Sequence, residues 1–368
     1  MSYRKRRSRG QSRPPKTARI IGDPIILDDE LLSSVLKNYI LRYHPFSKQH
    51  HVDYMKIFPF CEKFLSVSTR LNTIASNITN TLPKAPSPLS TITPVSPSKC
   101  CYVTLLMRGD SYLPGILTLG HTLKNSSHDL FCLCTPDVSE NSKELISKIY
   151  THVVDIPYNY DARIQPTKWK RFGKLYQWIG CAFTKFNALE LTQYDKVLFL
   201  DADTLCLNVN IMDQVFQLNC PAGTLSGDFS IKHGRIILRR HLENSLQKAY
   251  GISGDVLLLK PSIIDLIKLG RFAHEYLEQS SNDNAGPDES VLSRFYSNQW
   301  TQIGAQFNAL PWKTVPNQAL IHYVTHPPWN PKDYWADYEL FYSQSRKVIE
   351  EIPESEPVFA SALKWSKA

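Results

Sequence analysis

The chain has 368 residues, 42% hydrophobic and 11% aromatic, enough apolar material to bury a large core and to mark one catalytic-size globular domain with extensions. No apolar run reaches the roughly 20 residues that a membrane-spanning helix needs. The first residues are basic and polar, so no membrane span, no secretory signal and a cytoplasmic location are expected.

The formal net charge of +8 is concentrated at one end. Residues 1–19 carry Arg4, Lys5, Arg6, Arg7, Arg9, Arg13, Lys16 and Arg19 and no acid, and the other 34 basic residues match the 34 acidic ones. Any attraction to nucleic acid or an anionic membrane therefore belongs to this tail and is salt-sensitive. A disordered solubilising arm, a nuclear-localisation segment and a sequence-independent nucleic-acid contact all fit it, which adds the nucleus as a location. Cys61, Cys100, Cys101, Cys132, Cys134, Cys181, Cys206 and Cys220 lie mostly in apolar runs without a Cys-x-x-Cys pair, so buried thiols are expected rather than disulfides or zinc.

Residues 20–82 read as a helical accessory segment. Its first helix follows Asp28, Asp29 and Glu30, with Leu31, Leu32, Val35, Leu36, Tyr39, Ile40 and Tyr43 at helical spacing. Residues 83–99, rich in Pro and Ser, read as a linker. From residue 100 short apolar runs alternate with helical patterns, as a mainly parallel α/β sheet requires. The spacing predicts strands over 102–107, 130–134 and 153–156, helices over 114–124 and 139–150, and a long helix over 173–191 feeding directly into a fourth strand. A further strand is expected over 256–259, with a helix opened by Pro261, and a closing loop over 323–335 after Leu320, Ile321 and His322. The main domain is placed at 100–343 and a C-terminal extension at 344–368.

The fourth strand, Val197-Leu198-Phe199-Leu200, is continuously apolar, which suits a strand buried on both faces, and Asp201-Ala202-Asp203 follow it at once. A buried strand does not continue through unpaired charge, so both acids belong just past its carboxyl end, where open α/β sheets place ligands. An extended backbone would turn the two carboxylates to one side, giving an oxygen face for a divalent cation and phosphate oxygens. A helix cap at Asp203 and a loop acid at Asp201 are the structural alternatives.

Several separated motifs then occur in order: Val103-Thr104-Leu105, Tyr112, Gly115-Ile116-Leu117-Thr118-Leu119-Gly120, Phe183-Thr184-Lys185, Leu200-Asp201-Ala202-Asp203-Thr204, Lys260-Pro261-Ser262, Pro287-Asp288-Glu289, and His322-Tyr323 with Pro328-Trp329. Jointly they resemble the glycogenin-like retaining glycosyltransferases, glycosyltransferase family eight, over roughly residues 100–335. The resemblance implies a GT-A fold (α/β, Rossmann-like, a mainly parallel sheet with flanking helices), here with a helical N-terminal extension. It also implies a UDP-linked sugar donor and Mn²⁺.

By position, Asp201, Asp203 and His322 resemble the metal ligands, with Ala202 beside the donor; an imidazole among oxygen donors suits Mn²⁺ better than Mg²⁺. Tyr112 resembles the aromatic that stacks on uracil, with Thr104 and Leu105 at the base pocket. Lys185 resembles the lysine reaching the sugar and diphosphate, and Asp288 the acid near the anomeric centre. Glu289 stands where the family commonly has Gln.

Two departures stand out. The family's Asn-small-Gly reads Ser253-Gly254-Asp255, losing an amide and adding a carboxylate near the donor sugar, and the late Lys-Pro-Trp reads Pro327-Pro328-Trp329, with His326 near enough to substitute when protonated. The leading expectation is a metal-dependent hexosyltransferase acting on a protein, glycan, lipid or polyol hydroxyl, with a homodimer implied by the resemblance alone. The alternative is a catalytically impaired transferase fold serving as a scaffold with a nucleic-acid-binding tail. A nucleotidyltransferase fits poorly, because 106–110 holds a single glycine where a phosphate loop needs several.

Overall fold

The computed structural model describes residues 98–159, 180–227, 230–279, 286–313, 315–324, 327–331, 336–364 and 366. The basic tail, the accessory segment, nearly all of the linker and His326 lie outside the described residues.

Strands β1 (Cys100–Leu106), β2 (Asp129–Cys134), β3 (His152–Asp155), β4 (Lys196–Leu200), β6 (Ala222–Leu225), β7 (Ile252–Leu259) and β8 (Thr301–Gln302) form one sheet of order β3-β2-β1-β4-β7-β6-β8. Only β7 runs against its neighbours β4 and β6; the other pairings are parallel. This is the mainly parallel α/β sheet that the sequence pattern leads one to expect. A separate antiparallel pair joins β5 (Thr204–Cys206) to β9 (Leu320–His322).

The central strands are apolar throughout because both faces are covered. Tyr102, Leu198, Leu200, Val256 and Leu258 point to one core, together with α1 (Leu113–Leu123), α2 (Glu140–Ser147), α6 (Tyr338–Glu351) and α7 (Glu356–Leu363). Cys101, Val103, Val197, Phe199, Leu257 and Leu259 point to the other, with α3 (Arg239–Gln247), α4 (Ile263–Gln279) and α5 (Pro287–Phe295). Each fully buried Leu or Phe contributes about 1.5–3 kcal/mol by leaving water. The described residues contain no helix long and apolar enough to cross a membrane.

Two expectations change, and four elements are unforeseen. The long helix feeding β4 is, where described, a 3-10 helix over Ala182–Glu190, separated from β4 by residues 191–195. This segment is tied to residues 157–159: Asn159 Nδ2 donates to the Phe183 carbonyl at 3.2 Å and to Asn187 Oδ1 at 3.0 Å, while Asn187 Nδ2 donates to the Pro157 carbonyl at 3.0 Å. The expected boundary at 343/344 falls inside α6, and Phe359 and Ala362 sit in the first core, so the C-terminal residues pack into the α/β unit. Finally, β5, β6, α3 and α5 are not among the expected elements: β5 and β6 are only 3 and 4 residues long, and α3 and α5 are unexpected although amphipathic.

Candidate functional site

Topology brings the site together at the carboxyl end of β4. Because β7 is antiparallel to β4, its first residues, not its last, lie at that end: Leu200 pairs with Val256, and Asp201 N donates to the Asp255 carbonyl at 2.9 Å. The chain leaves β4 in a turn rather than in the expected extended form, closed by Thr204 N donating to the Asp201 carbonyl at 3.2 Å and Thr204 Oγ1 to the same oxygen at 2.8 Å. The register of β5 with β9 sets Thr204 opposite His322, and Tyr323 N donates to the Asp203 carbonyl at 2.8 Å. A residue far along the sequence is thus fixed beside the acids by backbone pairing.

The turn also rests on α1. A Cβ at Gly115 would stand 2.1 Å from the Ala202 carbonyl oxygen and 2.4 Å from the Trp329 ring, so only glycine lets the turn and Trp329 approach the helix this closely.

One carboxylate oxygen each of Asp201 and Asp203 and one ring nitrogen of His322 lie within 4.8 Å of one another. His322 Nε2 is 3.3 Å from Asp203 Oδ1, and Nδ1 is 3.1 Å from Asp255 Oδ2. This donor set, two hard oxygens and one imidazole nitrogen with its other nitrogen anchored, fits a divalent cation such as Mn²⁺.

A second cluster adjoins the first. Lys185 Nζ, buried on the 3-10 helix, lies 3.0 Å from Asp288 Oδ2 and 3.4 Å from Asp201 Oδ1 and donates to the Gly254 carbonyl at 3.0 Å. Asp288, in the first turn of α5, is buried and gains from the helix N-terminus. A Cβ at Gly254 would come within 2.5 Å of Asp288 Oδ2 and 2.9 Å of Lys185 Nζ, so the ion pair closes over a glycine.

The electrostatics follow from burial. Burial would favour neutral Lys185, but Asp201, Asp288 and Asp255 outweigh it and hold the ammonium charged. The same holds for His322, where Asp255 and Asp203 overcome burial and raise the ring above the ordinary histidine range. Burial pushes Asp201 up to about 7 against the pull of Lys185, with Asp255 and Asp203 adding to the rise. Asp255 goes the other way: burial is overcome by His322, Lys185 and the Ser253 hydroxyl, which hold it well below the usual carboxylate range. Burial and then the charge of Asp288 push Glu289 up to about 8; its carboxylate accepts from Gly286 N at 3.3 Å. In these contacts among the described residues, Asp201, Asp203, Asp255 and Asp288 share Lys185 and His322, and a bound cation would offset their negative charge.

No protein-family model matches the chain. The uncharacterized protein R707 of Acanthamoeba polyphaga mimivirus is 31% identical over 258 residues, covering 63% of this chain and 83% of that one. Glycogenin-1 of Saccharomyces cerevisiae is 26% identical over 294 residues, covering 70% of this chain and 45% of its own length. Inositol phosphorylceramide glucuronosyltransferase 1 of Arabidopsis thaliana is 25% identical over 271 residues, covering 70% of this chain and 48% of its own. The chain belongs to the glycogenin-like glycosyltransferases. It spans about half the length of the two relatives that carry a functional name.

Within this glycogenin-like frame, the residues singled out from sequence fall into three groups. Asp201, Asp203, His322, Lys185 and Asp288 converge at the end of β4. Tyr112 stands at the start of α1, its ring edge-on to Trp329 at 5.5 Å; burial, Asp203 and Asp201 raise its hydroxyl. Thr104 and Leu105 are buried near the end of β1, and the Thr104 hydroxyl has no hydrogen-bond partner among the described residues. Ser253 and Asp255 are turned to each other and to His322 rather than standing free. Sequence reasoning missed Asn308, whose Nδ2 lies 3.5 Å from Ser253 Oγ and 3.4 Å from Asp255 Oδ2. It sits in a short turn before β9 with no motif around it, so no sequence signal pointed there.

Proposed function

We propose that the protein is a cation-dependent, retaining hexosyltransferase that uses a UDP-sugar donor and an acceptor hydroxyl, with Mn²⁺ as the cation. The observation that carries this reading is the meeting of Asp201, Asp203 and His322 within 4.8 Å at the carboxyl end of β4. A Mn²⁺ held there would neutralise charge developing on the departing diphosphate.

The chain's own residues supply the rest. Tyr112, 36% exposed at the start of α1, offers an aromatic surface for the uracil ring. In the reaction the bond between the anomeric carbon and the diphosphate oxygen breaks, and its electron pair leaves with UDP. The acceptor oxygen bonds to the anomeric carbon on the same face and gives its proton to a diphosphate oxygen.

A double displacement would instead need a carboxylate free to attack the sugar. Asp288 is buried and bound to the Lys185 ammonium, which lowers its nucleophilicity and suits it to stabilising positive character at the anomeric carbon. Lys185 in turn holds Asp288 and Asp201 at a fixed spacing.

The test is UDP release from a panel of UDP-sugars with Mn²⁺, with chelator, and in Asp203→Asn. The expected result is release from one sugar that disappears with chelator and in the variant. Release from no sugar, or release that ignores chelator, overturns the proposal.

A further inference from the structure

Asp255 sits where the family's motif has glycine, and it is the acceptor of a small network. Its Oδ2 takes a hydrogen bond from His322 Nδ1 at 3.1 Å, another from the Ser253 hydroxyl, and a longer contact from Asn308 Nδ2 at 3.4 Å. Ser253 is buried and Asn308 partly so, and they come from different elements, β7 and the turn before β9. The Asp255 backbone is fixed as well, since its carbonyl accepts from Asp201 N at 2.9 Å.

The consequence lies at His322. An imidazole can turn about its side-chain torsions, and which nitrogen faces a cation is decided by the bond that the other makes. Here Nδ1 is engaged by Asp255, and Nε2 is left facing Asp203 Oδ1 at 3.3 Å. Three donors converge on the single oxygen Oδ2, so even an amide at this position would place its oxygen, not its nitrogen, against them.

We propose that Asp255 is a positioning residue of the cation site: it orients His322 through Nδ1 so that Nε2 is presented beside Asp201 and Asp203, with Ser253 and Asn308 holding the carboxylate in place. In this chain the lost amide and added carboxylate of the Ser253-Gly254-Asp255 motif are then parts of one arrangement. The amide nitrogen of Asn308 returns to the neighbourhood from another element, and the carboxylate serves the histidine instead of pointing at the sugar. This inference rests on the cation reading given above.

The experiment uses the full chain and Mn²⁺ alone as the probe, in wild type, Asp255→Ala, Asp255→Asn and His322→Ala. Two readouts are taken: Mn²⁺ affinity by calorimetry, and the ¹⁴N modulation that a coordinated imidazole imposes on the electron spin echo of bound Mn²⁺. Wild type should show ¹⁴N modulation that His322→Ala abolishes. Asp255→Ala should bind Mn²⁺ about 10- to 100-fold more weakly and lose the modulation. Asp255→Asn, which keeps the acceptor and is isosteric, should keep the modulation with a smaller loss of affinity.

Unchanged affinity and modulation in Asp255→Ala overturn the inference and leave the cation site standing. Weaker binding with the modulation intact also overturns it, because Asp255 would then act by charge or as a ligand and not through the ring. Absence of Mn²⁺ binding in wild type overturns both readings.

Discussion

Helix α1 touches a charged cluster at each end, and the two are built from the same side-chain types. At its last turn, His121 and Lys124 meet Glu351 of α6, with Lys124 Nζ 2.6 Å from Glu351 Oε2 and His121 Nε2 3.2 Å from Oε1. At its first turn, Gly115 packs on the Asp201-Ala202-Asp203 turn, beside His322, Lys185 and two further acids, Asp255 and Asp288. At the outer end the Lys124 and Glu351 side chains are 35% and 52% exposed although His121 is 7%, whereas at the inner end His322 and Asp288 are 3% and 5% exposed and Asp203, Asp255 and Asp201 are 14%, 22% and 28%. Water screens an unequal charge count at the outer end, and the pairing there contributes little. Buried groups have no such screening, so the surplus of carboxylates at the inner end costs stability unless a cation joins them. Position, not residue type, separates a structural pin from a ligand site.

Breaking the inner pairing should have the largest effect. Lys185→Met leaves Asp288 and Asp201 buried without their ammonium, and we expect a loss of about 3–5 kcal/mol in denaturant unfolding, together with loss of UDP release. Asp203→Asn acts on function instead. Because it removes one of the surplus charges, the metal-free variant should unfold within about 1 kcal/mol of wild type or above it, while UDP release falls by about two orders of magnitude or more. A variant that loses activity and stability together would remove the distinction.

A smaller effect, with a pH signature, is expected at Glu289. Its carboxyl is raised from 4.5 to about 8 by burial and by Asp288, so the folded state favours the neutral form. That contribution is complete below pH 4.5 and is lost as the pH rises through 8. Glu289→Gln carries no such loss. It should match wild type near pH 4.5 and exceed it by about 1–3 kcal/mol at pH 9 in denaturant melts. A difference that does not grow with pH would show that Glu289 is ionised in the folded protein. At the outer cluster, Glu351→Gln should cost less than about 1 kcal/mol, and less still in high salt.

Much of this site was legible in the sequence because its chemistry is local. The apolar run 197–200 followed at once by Asp201 and Asp203 announces a buried strand end bearing two acids. What was not legible is what distant elements do to each other. His322 reaches the acids through the β5–β9 register, Lys185 and Asp288 pair across two helices, and the partner of Asp255 is set by the reversed direction of β7. A periodic pattern reports which way a side chain faces on its own element, not what stands opposite it. The ties of Ala182–Glu190 to Asn159 on another segment were out of reach for the same reason.

The most direct test of the account is the affinity of UDP for the full chain, measured by calorimetry with Mn²⁺, with chelator, and with Mn²⁺ in Asp203→Asn. The account predicts binding with Mn²⁺ that weakens at least about tenfold under the other two conditions, because the diphosphate is held through the cation at Asp201, Asp203 and His322. Equal affinity under all three conditions would contradict it.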